Sequence, residues 1–157
     1  MQHYIVTFEL KDKAVNPVAN FLYKSLQNVA LADVFQVEDW SDAENGCTLW
    51  IIAHGNGKRM NKTSNPKDLL SDNPKLDQVY KKASTVVLVS CSTADESNIV
   101  FDNGFQASTF AKNLKNNDQS KKIIAAVGPV YGTKDGISVK IPFNAQGFAS
   151  HNGWVAY

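Results

Sequence analysis

The sequence predicts a three-layer α/β domain built on a mainly parallel β-sheet. Segments with strand character alternate with segments of helical periodicity in the order β-α-β-β-α-β-α-β, and a C-terminal β-hairpin follows them. Residues 47–54 and 84–91 are apolar along most of their length. This is typical of central parallel strands, because helices cover both of their faces. A length of 157 residues suffices for one hydrophobic core, so we expect a single domain over 1–157.

Periodicity and turn residues assign the elements of the first half of the chain. Residues 3–10 are rich in β-branched and aromatic side chains, as strands are. Asn16-Pro17 is a helix-start signal, and apolar residues follow it at helical spacing as far as Val29. The expected elements are a strand at 3–10, a helix at 17–31, a strand at 33–40, a central strand at 47–54 and an exposed loop at 55–64.

The second half is divided by Asn-Pro and Gly-containing turn signals. Two Asn-Pro pairs, at 65–66 and 73–74, each resemble a helix start. Gly128-Pro129 must break or bend the ladder of the strand that contains it, and Asp135-Gly136 and Asn152-Gly153 are tight-turn signals. The expected elements are helices from 65 and 73, a strand at 84–91, a polar loop at 92–103, a helix at 104–116, a strand from 122, and short hairpin strands at 137–143 and 154–157.

Charge and hydropathy exclude several classes of function. The formal net charge is +1, so no basic field favours nucleic acid or an anionic membrane as a partner. No apolar run reaches the ~18 residues that a membrane helix needs. The start of the chain, MQHYIVTFELKDK, lacks the features of a signal peptide. We therefore expect synthesis in a cytoplasm, and a leaderless route of export stays open.

The two cysteines are predicted to be free thiols. Cys47 opens one central strand and Cys91 closes another. If the two strands are parallel neighbours, the thiols lie at opposite ends of the sheet, ~20 Å apart at ~3.3 Å per residue. A disulfide needs Cα atoms within ~7 Å of each other.

Cys91 and His54 both stand at the carboxyl ends of predicted central strands, where ligands and chemistry gather in parallel sheets. A thiolate is a competent nucleophile, and a neighbouring imidazole can remove its proton or protonate a leaving group. The backbone amides of Gly55 and Cys91 would donate hydrogen bonds to an oxyanion. The alternative is that Cys91 is a small core residue and His54 a structural loop histidine. Their matching positions favour catalysis.

These residues resemble the caspase-like cysteine peptidases of clan CD. The resemblance lies in an apolar strand that ends in His-Gly, a helical crossover, and a second apolar strand, VVLVSCSTAD. It is nearest to bacterial toxin autoprocessing domains and CHAT-type domains, and it implies a flavodoxin-like arrangement of the sheet. By resemblance His54 is the general acid/base, Cys91 is the nucleophile and Gly55 contributes an oxyanion-hole amide. The Gln-Ala-Cys-x-Gly signature of caspases is absent.

The resemblance predicts a cysteine endopeptidase that acts on a protein or peptide substrate, as a bacterial effector or a self-processing toxin-type module. Two other hypotheses remain: a catalytically inactive caspase-like interaction domain, and a flavodoxin-like small-ligand binder, for which no phosphate or cofactor motif is present.

The remaining polar residues predict neither a cofactor nor a metal site. His3 and His151 have no partners at ligand spacing, and two cysteines cannot form a structural zinc site. Asp95 and Glu96 follow Cys91 closely, and two roles are open to them: to orient His54 or to bind a basic substrate residue. The favoured interpretation is that both are solvent-exposed carboxylates of a loop. The loop at 55–64 also carries a group of basic residues. The favoured interpretation is a solvated surface. The alternative, by analogy with toxin autoprocessing domains, is that the group binds an anionic small-molecule activator. The group comprises Lys58, Arg59 and Lys62.

Overall fold

Five parallel strands flanked by helices form the centre of the structure, a computed structural model. It describes residues 1–34, 40–55, 59–90, 101–102, 105–106, 109–126, 132–133, 136–137 and 154–157. The helices are α1 (Val15–Ser25), α2 (Pro66–Ser71), α3 (Pro74–Lys82) and α4 (Phe110–Asn117). The strands are β1 (His3–Thr7), β2 (Val29–Asp33), β3 (Thr48–Ile52), β4 (Thr85–Val89), β5 (Phe101–Asp102), β6 (Phe105–Gln106), β7 (Lys122–Ala126), β8 (Gly132–Thr133), β9 (Gly136–Ile137) and β10 (Trp154–Ala156).

The main sheet has the strand order β2-β1-β3-β4-β7-β10. Its first five strands are parallel, and their order is that of flavodoxin-like sheets. β10 pairs antiparallel with β7 at the edge. In the centre of the sheet, Thr7 of β1 lies opposite Ile52 of β3, and Ile52 lies opposite Val89 of β4. These three strands therefore end level with one another, at one carboxyl edge. The α/β fold and the largely parallel sheet are confirmed.

Helices cover both faces of this sheet. α1 packs on one face, where Leu22 belongs to the same buried cluster as Trp50 of β3 and Val87 of β4. α2, α3 and α4 pack on the other face, where Val79 and Phe110 share a second buried cluster with alternate residues of the same strands. Every residue of β3 and β4 is buried, which is why both strands are apolar in consecutive positions rather than alternately.

The helix predicted over 17–31 is wrong in its second half. α1 ends at Ser25, and Asn28 follows in the left-handed region with φ of 51°. Val29, which continues the apolar spacing, instead begins β2. It still packs against the same cluster as α1, so the spacing reports a shared buried face rather than one continuous helix. The strand predicted at 33–40 meets β2 only at Asp33, and residues 35–39 lie outside the described residues.

The start of α1 also differs from the prediction. The helix begins at Val15, not at 17, and Asn16 does not cap it. The carboxylate of Asp12 accepts hydrogen bonds from the amides of Ala14 and Val15 instead, at 2.7 and 3.1 Å. These are two of the N–H groups that have no partner within a helix.

The helix predicted over 104–116 begins later, at Phe110. Phe105–Gln106 is instead the short strand β6. It pairs with β5, which lies within the predicted loop at 92–103. The hydroxyl of Thr109 accepts a hydrogen bond from the amide of Lys112 at 3.2 Å. This N-cap defines the start of α4. The two helix starts predicted at Asn65-Pro66 and Asn73-Pro74 are confirmed in α2 and α3.

The C-terminal hairpin predicted between 137–143 and 154–157 falls largely on residues outside the described part of the chain, and it stays a prediction. Its described last strand, β10, pairs with β7 of the main sheet. β8 and β9 form a separate short antiparallel pair. In the described ranges, no helix combines the length and apolar character needed to cross a membrane.

Candidate active site

The candidate site lies where β3 and β4 leave the carboxyl edge of the sheet. The two strands are direct parallel neighbours, with Ile52 opposite Val89. His54 comes two residues after Ile52 in the sequence, and Cys91 comes two residues after Val89. The sequence predicted that both strands end at the carboxyl edge, and the structure shows in addition that they are direct neighbours. Cys91 itself lies outside the described residues, so its distance from His54 stays a prediction.

His54 is held at this edge by a carboxylate. Its side chain is 57% exposed, and its Nε2 lies 3.2 Å from Oδ1 of Asp12. The backbone carbonyl of His54 accepts a hydrogen bond from the amide of Asn61 at 2.8 Å, which ties the end of β3 to the following loop. The imidazole of His54 is thus exposed to solvent while its Nε2 contacts the Asp12 carboxylate.

Asp12 is a candidate site residue that was not predicted from the sequence. It lies in the connection from β1 to α1, and β1 is the neighbour of β3 in the sheet. The amide of Ala14 first, then the bonds from His54 and the amide of Val15, hold the pKa of Asp12 below its ordinary value of 3.8. Asp12 is therefore a carboxylate at neutral pH. A carboxylate just beyond the carboxyl end of a strand was the available signal, but β1 was not known to lie beside β3.

The Asp12 contact selects one tautomer of His54. A carboxylate can only accept a hydrogen bond, so Nε2 of a neutral imidazole carries the proton and donates it to Asp12. Nδ1 is then unprotonated and is available as a base. The imidazole is arranged to accept a proton on the nitrogen that faces away from Asp12.

Gly55 brings the two strand ends into direct contact. A Cβ atom built on Gly55 would lie 2.2 Å from Oγ of Ser90 and 2.7 Å from the carbonyl oxygen of Arg59. Only glycine allows an approach this close. The residue after His54 thus packs against the residue before Cys91. The oxyanion-hole role predicted for the amides of Gly55 and Cys91 stays a prediction.

Cys47 is a free thiol in the core, as predicted. It is 1% exposed and precedes β3 at the opposite edge of the sheet from His54. Burial is the main cause that raises the pKa of its thiol above the ordinary value. Cys47 is therefore separated from the candidate site in position and in reactivity.

The loop after His54 is only partly the exposed segment that was predicted. Arg59 and Lys62 are exposed. Met60 between them is fully buried, and its amide donates a hydrogen bond to the carbonyl of Thr63 at 2.9 Å. Met60 anchors the loop beside Gly55, with which it forms an isolated β-bridge. Lys58, Asp95 and Glu96 lie outside the described residues.

The structure also gathers a set of metal-ligating atoms that the sequence did not predict. One potential ligand atom from each of Glu9, Asp12 and His54 lies within 4.8 Å of the other two.

No model of a protein family matches the chain, and a search of curated proteins found no match.

Proposed function

We propose that the protein is a cysteine endopeptidase with a caspase-like fold, in which Cys91 is the nucleophile and His54 the general acid/base. One observation carries the proposal: Gly55, directly after His54, packs against Ser90, directly before Cys91. The strand ends that bear the two residues are therefore in contact. The substrates are protein or peptide chains, and the biological setting is a bacterial effector or self-processing toxin-type module.

Asp12 extends the proposed dyad to three residues. It accepts a hydrogen bond from the Nε2–H group of His54 and leaves Nδ1 free to take the proton of the Cys91 thiol. The resulting imidazolium is stabilised by the Asp12 carboxylate 3.2 Å away. Asp12 is a positioning residue, since it acts on the reaction through His54.

The reaction proceeds by acyl transfer. The thiolate of Cys91 attacks the carbonyl carbon of the scissile bond, and the amides of Gly55 and Cys91 donate hydrogen bonds to the oxyanion that forms. The imidazolium of His54 gives its proton to the leaving amine, and a thioester remains on Cys91. His54 then takes a proton from water, and the resulting hydroxide attacks the thioester carbon. The C–S bond breaks, the acyl group leaves as a carboxylic acid, and the proton on His54 returns to the thiolate of Cys91.

The exposed side chains of Arg59 and Lys62 lie on the loop that follows Gly55. This loop is where an anionic small-molecule activator would bind, because its positive charges lie beside the candidate site.

A peptide-library cleavage assay tests the proposed activity. We expect the protein to cleave a restricted set of peptides, Cys91→Ala to abolish cleavage, and Cys47→Ala to retain it, because Cys47 lies at the other edge of the sheet. Mass spectrometry of the products reports the sequence preference.

A folded wild-type protein that cleaves no peptide, with and without an inositol polyphosphate, would overturn the proposal. That result would favour the catalytically inactive interaction domain. Cleavage that survives Cys91→Ala would show that another residue is the nucleophile.

A further inference from the structure

We propose that Glu9, Asp12 and His54 form a binding site for a divalent transition-metal cation such as Zn²⁺, and that this cation switches off the general base. The regulatory part of this inference rests on the proposed function. The binding part does not, because it concerns three side chains that the fold brings together whatever reaction they serve.

The donor set matches the chemistry of zinc. Potential ligand atoms of the three side chains, one imidazole nitrogen and two carboxylate oxygens, lie within 4.8 Å of one another. Zinc binds imidazole nitrogen and carboxylate oxygen, and three protein ligands with one open position are typical of its catalytic sites. Imidazole disfavours the alternative of Mg²⁺ or Ca²⁺, which prefer oxygen ligands alone.

The distance between two of the donors is compatible with a shared ion as well as with their hydrogen bond. Zn–N and Zn–O bonds of about 2.0–2.2 Å place neighbouring ligands of a tetrahedral ion about 3.3 Å apart. Nε2 of His54 and Oδ1 of Asp12 are separated by 3.2 Å. Glu9 is exposed, and its ligand atom lies within 4.8 Å of the other two, so rotation of its side chain would complete the site.

The site is accessible and one of its ligands is held in place from outside the cluster. His54 is 57% exposed and Asp12 is 29% exposed, so an ion reaches them from solvent. The amides of Ala14 and Val15 orient the Asp12 carboxylate at 2.7 and 3.1 Å. Hydrogen bonds that orient a ligating carboxylate in this way raise metal affinity.

Cation binding reverses the tautomer of His54. A metal ion binds an unprotonated nitrogen, so Zn²⁺ at Nε2 requires the single proton of the neutral imidazole to reside on Nδ1. Nδ1 then donates a hydrogen bond and no longer accepts the proton of Cys91. Without the cation, Asp12 holds that proton on Nε2 and keeps Nδ1 basic. The same three residues therefore allow proton transfer when the cation is absent and prevent it when the cation is bound.

Isothermal titration calorimetry with ZnCl₂ tests the binding part on a Cys91→Ala background, which removes the thiol as a competing ligand. We expect one Zn²⁺ per chain. His54→Ala is expected to abolish binding and Glu9→Gln to weaken it roughly tenfold or more. The matched control is Glu44→Gln, which removes an exposed carboxylate next to the amino end of β3. It is expected to leave zinc affinity unchanged.

Absence of zinc binding on this background, or binding that Glu9→Gln leaves unaltered, would overturn the inference. The regulatory part is read separately, from the rate at which iodoacetamide labels Cys91 in the wild-type protein. Zinc is expected to slow that labelling and EDTA to restore it, with a weaker zinc effect in Glu9→Gln.

These readouts separate the two proposals. Zinc binding without peptide cleavage would defeat the peptidase and leave the cation site intact. Cleavage without zinc binding would do the reverse. Zinc binding that leaves Cys91 labelling unchanged would defeat the proposed control of the general base.

Discussion

At the scale of single residues, the two thiols are expected to differ in reactivity. Cys47 is 1% exposed, and burial raises its pKa. Cys91 follows β4, beside the strand that leads to His54 and its carboxylate partner Asp12. If Cys91 lies next to His54, as proposed, its thiolate is favoured, whereas the thiolate of a buried cysteine is not.

We predict that iodoacetamide at neutral pH modifies Cys91 before Cys47. His54→Ala should slow the labelling of Cys91, because the imidazolium that stabilises the thiolate is lost. Asp12→Asn should slow it as well, because the neutral amide no longer stabilises the imidazolium. Mass spectrometry of the labelled peptides measures both rates.

Labelling of Cys47 is the internal control, since neither variant changes its surroundings at the other edge of the sheet. Equal labelling rates at the two thiols, or a Cys91 that reacts only after the protein unfolds, would identify Cys91 as a core residue. That outcome would favour the interaction domain over the peptidase.

At the scale of structural elements, the junction between β3 and β4 depends on Gly55. We predict that Gly55→Ala destabilises the protein by about 1–3 kcal/mol, as other overpacked sites do. The added Cβ would meet Ser90 Oγ at 2.2 Å and the backbone carbonyl of Arg59 at 2.7 Å. The backbone contact cannot be relieved by a side-chain rotation. Urea unfolding of the two proteins measures the difference in free energy.

A double-mutant cycle provides the control for this prediction. Ser90→Ala removes the nearest atom, and its hydroxyl has no hydrogen-bond partner within the described ranges. The variant with both substitutions should recover part of the lost stability, because the Arg59 contact remains. A Gly55→Ala variant as stable as the wild-type protein would show that the strand ends are not packed as described.

At the scale of the whole molecule, His3 links folding stability to pH. The indole N–H of Trp50 donates a hydrogen bond to Nδ1 of His3 at 3.2 Å. Burial, and then the positive charge of the chain terminus, lower the pKa of His3 from 6.5. Between the lowered pKa of the folded state and pH 6.5, His3 is therefore protonated in more of the unfolded chains than of the folded ones. This contribution to stability is present above pH 6.5 and is lost as the pH falls through the lower pKa of the folded state.

We predict that the free energy of unfolding of the wild-type protein decreases between pH 7.5 and pH 5. His3→Gln should show a smaller decrease, because glutamine does not titrate and still offers an oxygen to Trp50. Urea unfolding at each pH, compared between the two proteins, isolates the contribution of His3 from those of the other histidines. Parallel decreases in the two proteins would contradict the prediction.

The central strands and the position of His54 were predictable because their signals are local. β3 and β4 are apolar at consecutive positions, and a strand with that pattern needs cover on both faces. The end of α1 was not predictable from spacing. Leu26 and Val29 lie on the same apolar face as α1, but the left-handed conformation of Asn28 separates a helix from a strand there.

The candidate site likewise combines features that follow from local sequence with features that depend on the tertiary structure. The sequence by itself determined the layered α/β class, the two buried central strands, and the placement of His54 and Gly55 directly after the first of them, since each follows from residues close together in the chain. Only the tertiary structure decided that β3 lies between β1 and β4. It also decided that Asp12, 42 positions before His54 in the sequence, supplies the partner of His54. Strand order depends on how the helices pack on the two faces of the sheet. That packing is a property of the whole core rather than of any segment.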